Sequence, residues 1–271
     1  MGFMKKYLIA AIVLGICGFI WSFGIEPNLL YVRRYRHGLN DFNGLKIVFA
    51  SDWHIAPWEN WRLKKIVRKI NEQRPDIIIL GGDYVKGHKN TSSMKMEKIA
   101  AGLSKLKAKY GVFAVLGNHD WYLNGSKMRQ ELEAVGITVL ENENIRLNIG
   151  GKTLYLAGLA DDTTRSPDFI RALSKTDMTK TILVSHSPDI FDLIPQEIPL
   201  TLAGHTHGGQ VAMPFYGPVI VPSKFGRRFA GGEYIENGKR MIIGRGLGTS
   251  LLPVRFNCLP EILVLDSALD D

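Results

Sequence analysis

The sequence predicts an α/β fold, a layered sandwich of two mixed sheets flanked by helices, behind an apolar N-terminal helix. Three observations carry this. In the first half, short apolar runs alternate with amphipathic helical stretches, the order that generates a parallel sheet. The second half holds two hairpin signals and further strand-like runs. Most of these runs are followed at once by Gly, Asp, Asn or His, as expected where strands end at one functional edge.

At 271 residues the chain has room for an N-terminal segment and one sizeable domain, and its 45% hydrophobic and 22% charged content excludes extended disorder. Lys5 and Lys6 precede an apolar run over residues 7–25, which Glu26 and Pro27 end. The run matches the roughly 20 residues that a spanning helix needs. A cleaved signal would have a shorter core and a small-x-small site. Trp21 and Phe23 crowd the one candidate site, and Ile16 before Cys17 spoils a lipoprotein-type box. An uncleaved single-pass anchor is therefore expected over residues 1–28, then a basic linker at 29–44, then a domain at 45–271. Lys5 and Lys6 lie at one end of the run and Arg33, Arg34 and Arg36 beyond the other, so flanking charge does not orient it.

Residues 45–50 are a buried strand by composition. Residues 61–72 follow as an amphipathic helix, with Leu63, Ile66, Val67 and Ile70 inward and Arg62, Lys65, Arg68 and Lys69 outward. A strand at 76–80, a helix at about 94–107 and a strand at 112–116 complete the first half. Gly150-Gly151 joins strands at 145–149 and 153–157, and Asn237-Gly238 joins strands at 233–235 and 240–243. Runs at 181–184, 200–203 and 261–265 supply the remaining strands.

Chemistry concentrates at the strand ends. Asp52-Trp53-His54, Gly82-Asp83, Gly117-Asn118-His119-Asp120, His186 and Gly204-His205-Thr206-His207 occur in that order. Of 7 histidines, only His37 and His88 lie outside these fragments. Carboxylate, carboxamide and imidazole donors suit borderline first-row divalent metals. Taken singly, each fragment has an ordinary reading. Asp83 could be a turn residue, Asn118 a left-handed turn, and one of the alternating pair His205 and His207 could face solvent. Five fragments in sequence, each after a strand, outweigh those readings. Cys17 and Cys258 are too separate in context for an expected disulfide, and no Cys cluster points to structural zinc.

The ordered set D-x-H, G-D, G-N-H-D, H and G-H-x-H resembles the calcineurin-like metallophosphoesterase superfamily, from about Leu45 to the end of the chain. Ile25-Glu26-Pro27, His207-Gly208-Gly209-Gln210 and Arg245-Gly246-Leu247-Gly248-Thr249-Ser250 resemble its membrane-anchored bacterial branch, which includes phosphodiesterases and UDP-2,3-diacylglucosamine pyrophosphatase-like proteins. The resemblance implies two divalent cations, Mn, Fe or Zn, about 3.5–4 Å apart, clamping a phosphoryl group and acidifying a shared water. It implies that Asp52, His54, Asp83 and His207 hold one ion, and that Asp83, Asn118, His186 and His205 hold the other, with Asp83 bridging. It also places His119 on the substrate side as proton donor or oxyanion stabiliser, with Asp120 holding its tautomer. A helix N-cap is the rival role for Asp120.

Arg228, Arg245 and Arg255, with Arg227, are candidate phosphate contacts, because guanidinium forks match phosphate oxygens. Solvated surface arginines are the plain alternative. Asp161-Asp162 either shapes a loop over the site or forms an ordinary turn. Residues 213–229 mix aromatics with cations, a composition that suits a lipid-facing loop, a self-packed hairpin or base stacking. The net charge of +8 suits an anionic partner without choosing one. The expected protein is a monomeric, binuclear metal-dependent hydrolase on a bacterial cell membrane, acting on a phosphoester or pyrophosphate bond of a lipid-linked substrate. UDP-2,3-diacylglucosamine hydrolysis in lipid A biosynthesis is the specific reaction the resemblance suggests. The alternatives are a broad-specificity phosphodiesterase or nuclease and a non-catalytic metal-binding membrane scaffold; tethering to a membrane argues against a nucleic-acid partner.

Overall fold

The computed structural model describes residues 2–87 and 92–267, so His88 lies outside the described residues. Helix α1 (Gly2–Ile20) continues through a wider turn at Trp21–Ile25 into a short turn at Glu26–Asn28. Then follow β1 (Tyr31–Arg36), β2 (Ile47–Ala50), α2 (Asn60–Glu72), β3 (Ile77–Leu80), α3 (Met96–Leu103), β4 (Val112–Ala114), α4 (Asn118–Leu123), α5 (Gly125–Ala134) and β5 (Thr138–Val139). The second half comprises β6 (Glu143–Ile149), β7 (Lys152–Gly158), α6 (Phe169–Ala172), β8 (Thr181–Val184), β9 (Leu200–Ala203), β10 (Ala212–Met213), β11 (Gly217–Pro218), β12 (Gly232–Glu236), β13 (Lys239–Ile243) and β14 (Glu261–Asp266).

Two mixed sheets of six strands form, in the orders β1-β14-β2-β3-β4-β5 and β12-β13-β9-β8-β7-β6. Within them β2, β3, β4 and β5 run parallel, as do β13, β9, β8 and β7. The pleat explains three apolar layers, because alternate residues face opposite sides. Ile47, Phe49, Ile77 and Ile79 meet Ile182, Val184, Leu200 and Leu202 between the sheets. Val48, Ala50, Ile78 and Leu80 face Leu63, Ile66, Ile70, Ile99 and Leu132 of the helices on one side. Leu183, Ala203, Met241 and Ile243 face Ile190, Phe191 and Phe229 on the other. This is the two-sheet sandwich expected from the sequence.

Three expectations need correction. Residues 29–44 are not simply a linker: β1 pairs parallel with β14, and Arg33 Nε lies 2.7 Å from Glu261 Oε2. Basic residues masked an edge strand whose Val32 and Tyr35 pack on the core layers. Arg62 does not face solvent. It is buried, donating to the carbonyls of Pro27 and Leu247, while Lys65 Nζ donates to Asn28 O at 2.7 Å. Helix α2 thereby grips the chain emerging from α1. The α3 helix is also shorter than expected, ending at Leu103.

Helix α1 is exposed along its described length, with a mean hydropathy of 2.4 in its most apolar stretch, and is long and apolar enough to cross a membrane. Its root is tied to the domain. Arg255 N donates to Ser22 O at 2.9 Å, and the buried Glu26 carboxylate accepts from Cys258 N and Trp21 Nε1 at 2.5 and 2.6 Å.

Candidate metal centre

The donor fragments leave the C-terminal ends of β2, β3, β4, β8 and β9, neighbouring strands within their own sheets, so both sheets deliver side chains to one edge. Five of these residues lie in the left-handed region: Asp52 (φ 56°), His54 (43°), Asp83 (56°), His205 (70°) and His207 (53°). Each such conformation costs an L-residue about 1–2 kcal/mol. The tight loops turn the donors inward, and backbone bonds hold them: Asp52 N to Gly82 O at 2.9 Å, His54 N to Asp83 O at 3.0 Å. Trp53 between them points into the core instead. Gly204 is required by space, since a Cβ there would meet Ser51 Oγ at 2.5 Å and Asp52 Oδ2 at 2.6 Å.

The donor atoms converge. His54 Nε2 lies 3.0 Å from His207 Nε2, and His207 Nε2 lies 3.4 Å from Asp52 Oδ1. Asp83 Oδ2 lies 3.5 Å from His54 Nε2 on one side and 3.3 Å from His186 Nε2 on the other. His186 Nε2 is also 3.2 Å from Asn118 Oδ1 and 3.3 Å from His205 Nδ1. His119 has a ring nitrogen within 4.8 Å of the donors of His54 and Asp83. All but His119 and His205 are buried.

Outer contacts fix which atoms face inward. His54 Nδ1 is 3.1 Å from Val85 O and His186 Nδ1 is 2.7 Å from Gly81 O, so each ring donates outward and presents an Nε2 lone pair. His205 N donates to both Asp52 oxygens at 3.0 and 3.1 Å, and His119 N donates to Asp83 Oδ1 at 2.8 Å. Lone pairs of His54, His186, Asn118 and Asp83 therefore face one another, which is repulsive unless positive charge lies between them. That donor set fits divalent cations. The electrostatics agree: burial lowers His54 and His207, the Arg255 charge lowering His207 further. Burial also opposes a proton on His186, yet the adjacent Asp83 and Asp52 charges raise it well above the ordinary value. Asp83 is in turn lowered, His186 outweighing its burial.

With this cluster in view, the comparisons decide the family. The calcineurin-like phosphoesterase model matches residues 45–216. The chain belongs to that family. Among similar proteins, an uncharacterized metallophosphoesterase YkuE of Bacillus subtilis (strain 168) is 33% identical over 259 residues, covering 91% of this chain and 88% of its own. Phosphodiesterase YaeI of Escherichia coli (strain K12) is 30% identical over 267 residues, covering 95% of each chain. Among solved structures, the calcineurin-like phosphoesterase YfkN from Bacillus subtilis superposes with a TM-score of 0.46 at 12% identity, over 76% of this chain and 82% of its own. This calcineurin-like phosphoesterase is a phosphoester hydrolase of the bacterial branch, with clustered Asp and His ligands for divalent metal.

The seven expected ligands come together; the other site expectations fare differently. Asp120 is not the partner of His119. Its carboxylate accepts from the backbone N–H groups of Asp83 (2.8 Å), Tyr84 (2.9 Å), Val85 (3.3 Å) and Gly117 (3.0 Å), riveting the Asp83 loop to the start of α4. His119 Nδ1 instead lies 3.1 Å from Lys86 O. Arg255 cannot reach a phosphate: it is fully buried, donating to the carbonyls of Arg245, Gly246, Gly248 and Cys258. Arg228 is committed to Glu236 and lies over the Phe229 ring, 4.7 Å from its centroid. Arg245 is half-buried, its stem against Gly208 and Gly231, its backbone N–H on Glu261 Oε1. Asp161 is fully buried and closes a turn by accepting from Thr164, with its charge felt by His186 and His205, while burial raises the Asp162 carboxyl above its ordinary value. Sequence patterns assigned no role to Lys86 and marked Gln210 only as part of a motif. Lys86 acts through its carbonyl, which no side chain advertises. Gln210 clamps Ser250 through both amide atoms, at 2.6 and 3.1 Å.

Proposed function

We propose that the protein is a membrane-anchored, two-metal phosphodiesterase or pyrophosphatase that acts as a monomer on a lipid-linked phosphate substrate. The carrying observation is the Asp83 carboxylate, with His54 on one side and His186 on the other. In this reading Asp52, His54, Asp83 and His207 hold one cation, and Asp83, Asn118, His186 and His205 the other; Mn, Fe and Zn all match the donors. Such a pair supplies Lewis acidity at the phosphoryl oxygens and an activated water.

The chain's own residues do the rest. Asp120 holds the Asp83 loop in register, so the Asp83 carboxylate keeps its aim between His54 and His186. Carbonyls of Val85 and Gly81 fix the tautomers of His54 and His186. Lys86 O accepts from Nδ1 of His119, which in its doubly protonated form would give its Nε2 proton to the leaving oxygen as a water oxygen bonds to phosphorus and the ester P–O bond breaks. Neutral Asn118 adds a ligand without adding negative charge, which favours an anionic substrate.

The anchor is supported by how α1 ends. Glu26 is buried and its carboxylate holds Cys258 N, so the segment after α1 is part of the domain. The lipid-linked substrate, with UDP-2,3-diacylglucosamine as its most specific form, is supported by that tether and by the exposed aromatics of residues 213–229. The test is a panel with the purified full-length chain and Mn²⁺: nucleotide-sugar lipids, simple phosphodiesters and single-stranded DNA. Preference for a lipid-linked phosphoester supports the proposal. Turnover of simple diesters and DNA alone, or no turnover at all, sinks the substrate reading.

A further inference from the structure

Beside the metal centre lies an apolar groove of about 390 Å³, lined by Val211, Ile220, Leu251 and Leu252 together with Gln210 and His207. Its size falls in the range of single-ligand pockets, about 300–1,000 Å³. His207 Nε2 is also one of the converging donors, 3.0 Å from His54 Nε2. The groove thus borders the cluster through a shared residue. Its walls are tied together: Ala212 N donates to Phe256 O, Phe256 N to Gln210 O, and the Gln210 amide clamps Ser250.

The outer rim is apolar and exposed. Ile220 is 75% exposed, Leu251 88% and Leu252 62%, with Phe215 and Tyr216 fully or mostly exposed on the adjoining β10–β11 hairpin. A concentration of this kind marks an interaction surface. Arg227 stacks over Tyr216 at 4.3 Å and donates to its carbonyl, giving the aromatic-plus-cation rim typical of a bilayer interface. Continuity with α1 identifies the partner. Val254 lines the groove, and the next residue, Arg255, donates its N–H to Ser22 O at the root of α1. If α1 spans the bilayer, the mouth of the groove stands at the bilayer boundary.

We propose that this groove takes one apolar chain of a membrane lipid, seating the lipid's phosphate at the donor cluster; the inference rests on the metallophosphoesterase and anchor readings above. It assigns a role to Val211, Ile220, Leu251 and Leu252, and it accounts for exposed apolar side chains that packing does not explain.

The test uses the full-length chain in nanodiscs of phosphatidylethanolamine and phosphatidylglycerol, with a trace of phosphatidylglycerol bearing a terminal diazirine on one acyl chain. After irradiation, labelled residues are mapped by mass spectrometry. Label on the groove residues as well as on α1 is expected. Ile220→Arg, and Leu252→Arg as a second variant, should each cut groove label about tenfold or more while α1 label persists, from the loss of buried apolar area. Label confined to α1, or to the hairpin tip at Phe215 and Tyr216, would overturn the proposal. So would chain-to-chain cross-links through the groove, which would give it to a second copy. Hydrolysis of bis(p-nitrophenyl) phosphate in the same sample reports separately on the hydrolase reading. Groove label without hydrolysis refutes that reading only, and hydrolysis with an unlabelled groove refutes the groove only.

Discussion

Replacing Asp120 by Asn probes the frame that aims Asp83. The carboxylate is buried and accepts four backbone N–H bonds at 2.8, 2.9, 3.0 and 3.3 Å, two on each oxygen. Asparagine turns one oxygen into an NH₂ that faces two donors. Two bonds to a charged acceptor are lost, about 3–6 kcal/mol in total. Part is recovered, because burial and the Asp83 charge already push the Asp120 carboxyl up to about 7, so neutralising it relieves strain. A net loss of about 2–4 kcal/mol should lower Tm by roughly 5–15 °C for a domain of this size. Thermal melts followed by circular dichroism, with metal content by mass spectrometry, provide the assay. Metal retention should fall with stability, while turnover per occupied site stays near wild type. An Asn variant with unchanged Tm and full metal content but a hundredfold slower turnover would refute the frame role and restore Asp120 as the partner of His119.

His119→Ala should keep its metal and lose about 10²–10⁴-fold in kcat. The loss should be smaller for nitrophenyl esters than for alkyl esters; equal losses would count against proton donation. His37 is buried, its Nδ1 accepts from Leu39 N at 2.9 Å, and burial lowers its pKa. A lowered folded pKa means the unfolded state binds more protons, so stability is full above the unfolded value of about 6.5 and lost as pH falls toward the folded value. The stability difference between wild type and His37→Asn, by urea denaturation in saturating Mn²⁺, should therefore shrink as pH falls below about 6.5. A pH-independent difference would contradict the burial argument. A chain starting at Leu45 should be markedly less stable than one starting at Trp21, since only the former lacks β1 and Glu26. Equal melting temperatures would show that this edge contributes little.

The donor set was legible in the sequence because each ligand ends an apolar run, and a strand in a parallel sheet can only deliver its next residue to the C-terminal edge. Unbroken apolar runs gave β2, β3, β8 and β9, which are buried on both faces, and the Gly150-Gly151 and Asn237-Gly238 turns gave both long hairpins. These signals failed where burial is shared with charge. Arg62 and Arg255 look like surface cations but are buried on carbonyls, and β1 hid behind its arginines. The roles of Asp120 and Lys86 depend on backbone N–H and C=O groups, which side-chain identity does not encode. The groove likewise needs segments about 40 residues apart, Gln210 and Ser250, joined by hydrogen bonds that no local pattern announces.

If Asp83 bridges two divalent cations, metal stoichiometry reports it. Purified wild type, reconstituted with Mn²⁺ and freed of excess, should retain two ions per chain by mass spectrometry. Asp83→Asn should lose both and nearly all activity, whereas His207→Ala should lose mainly one. An Asp83→Asn protein that keeps two ions and full turnover would contradict the account.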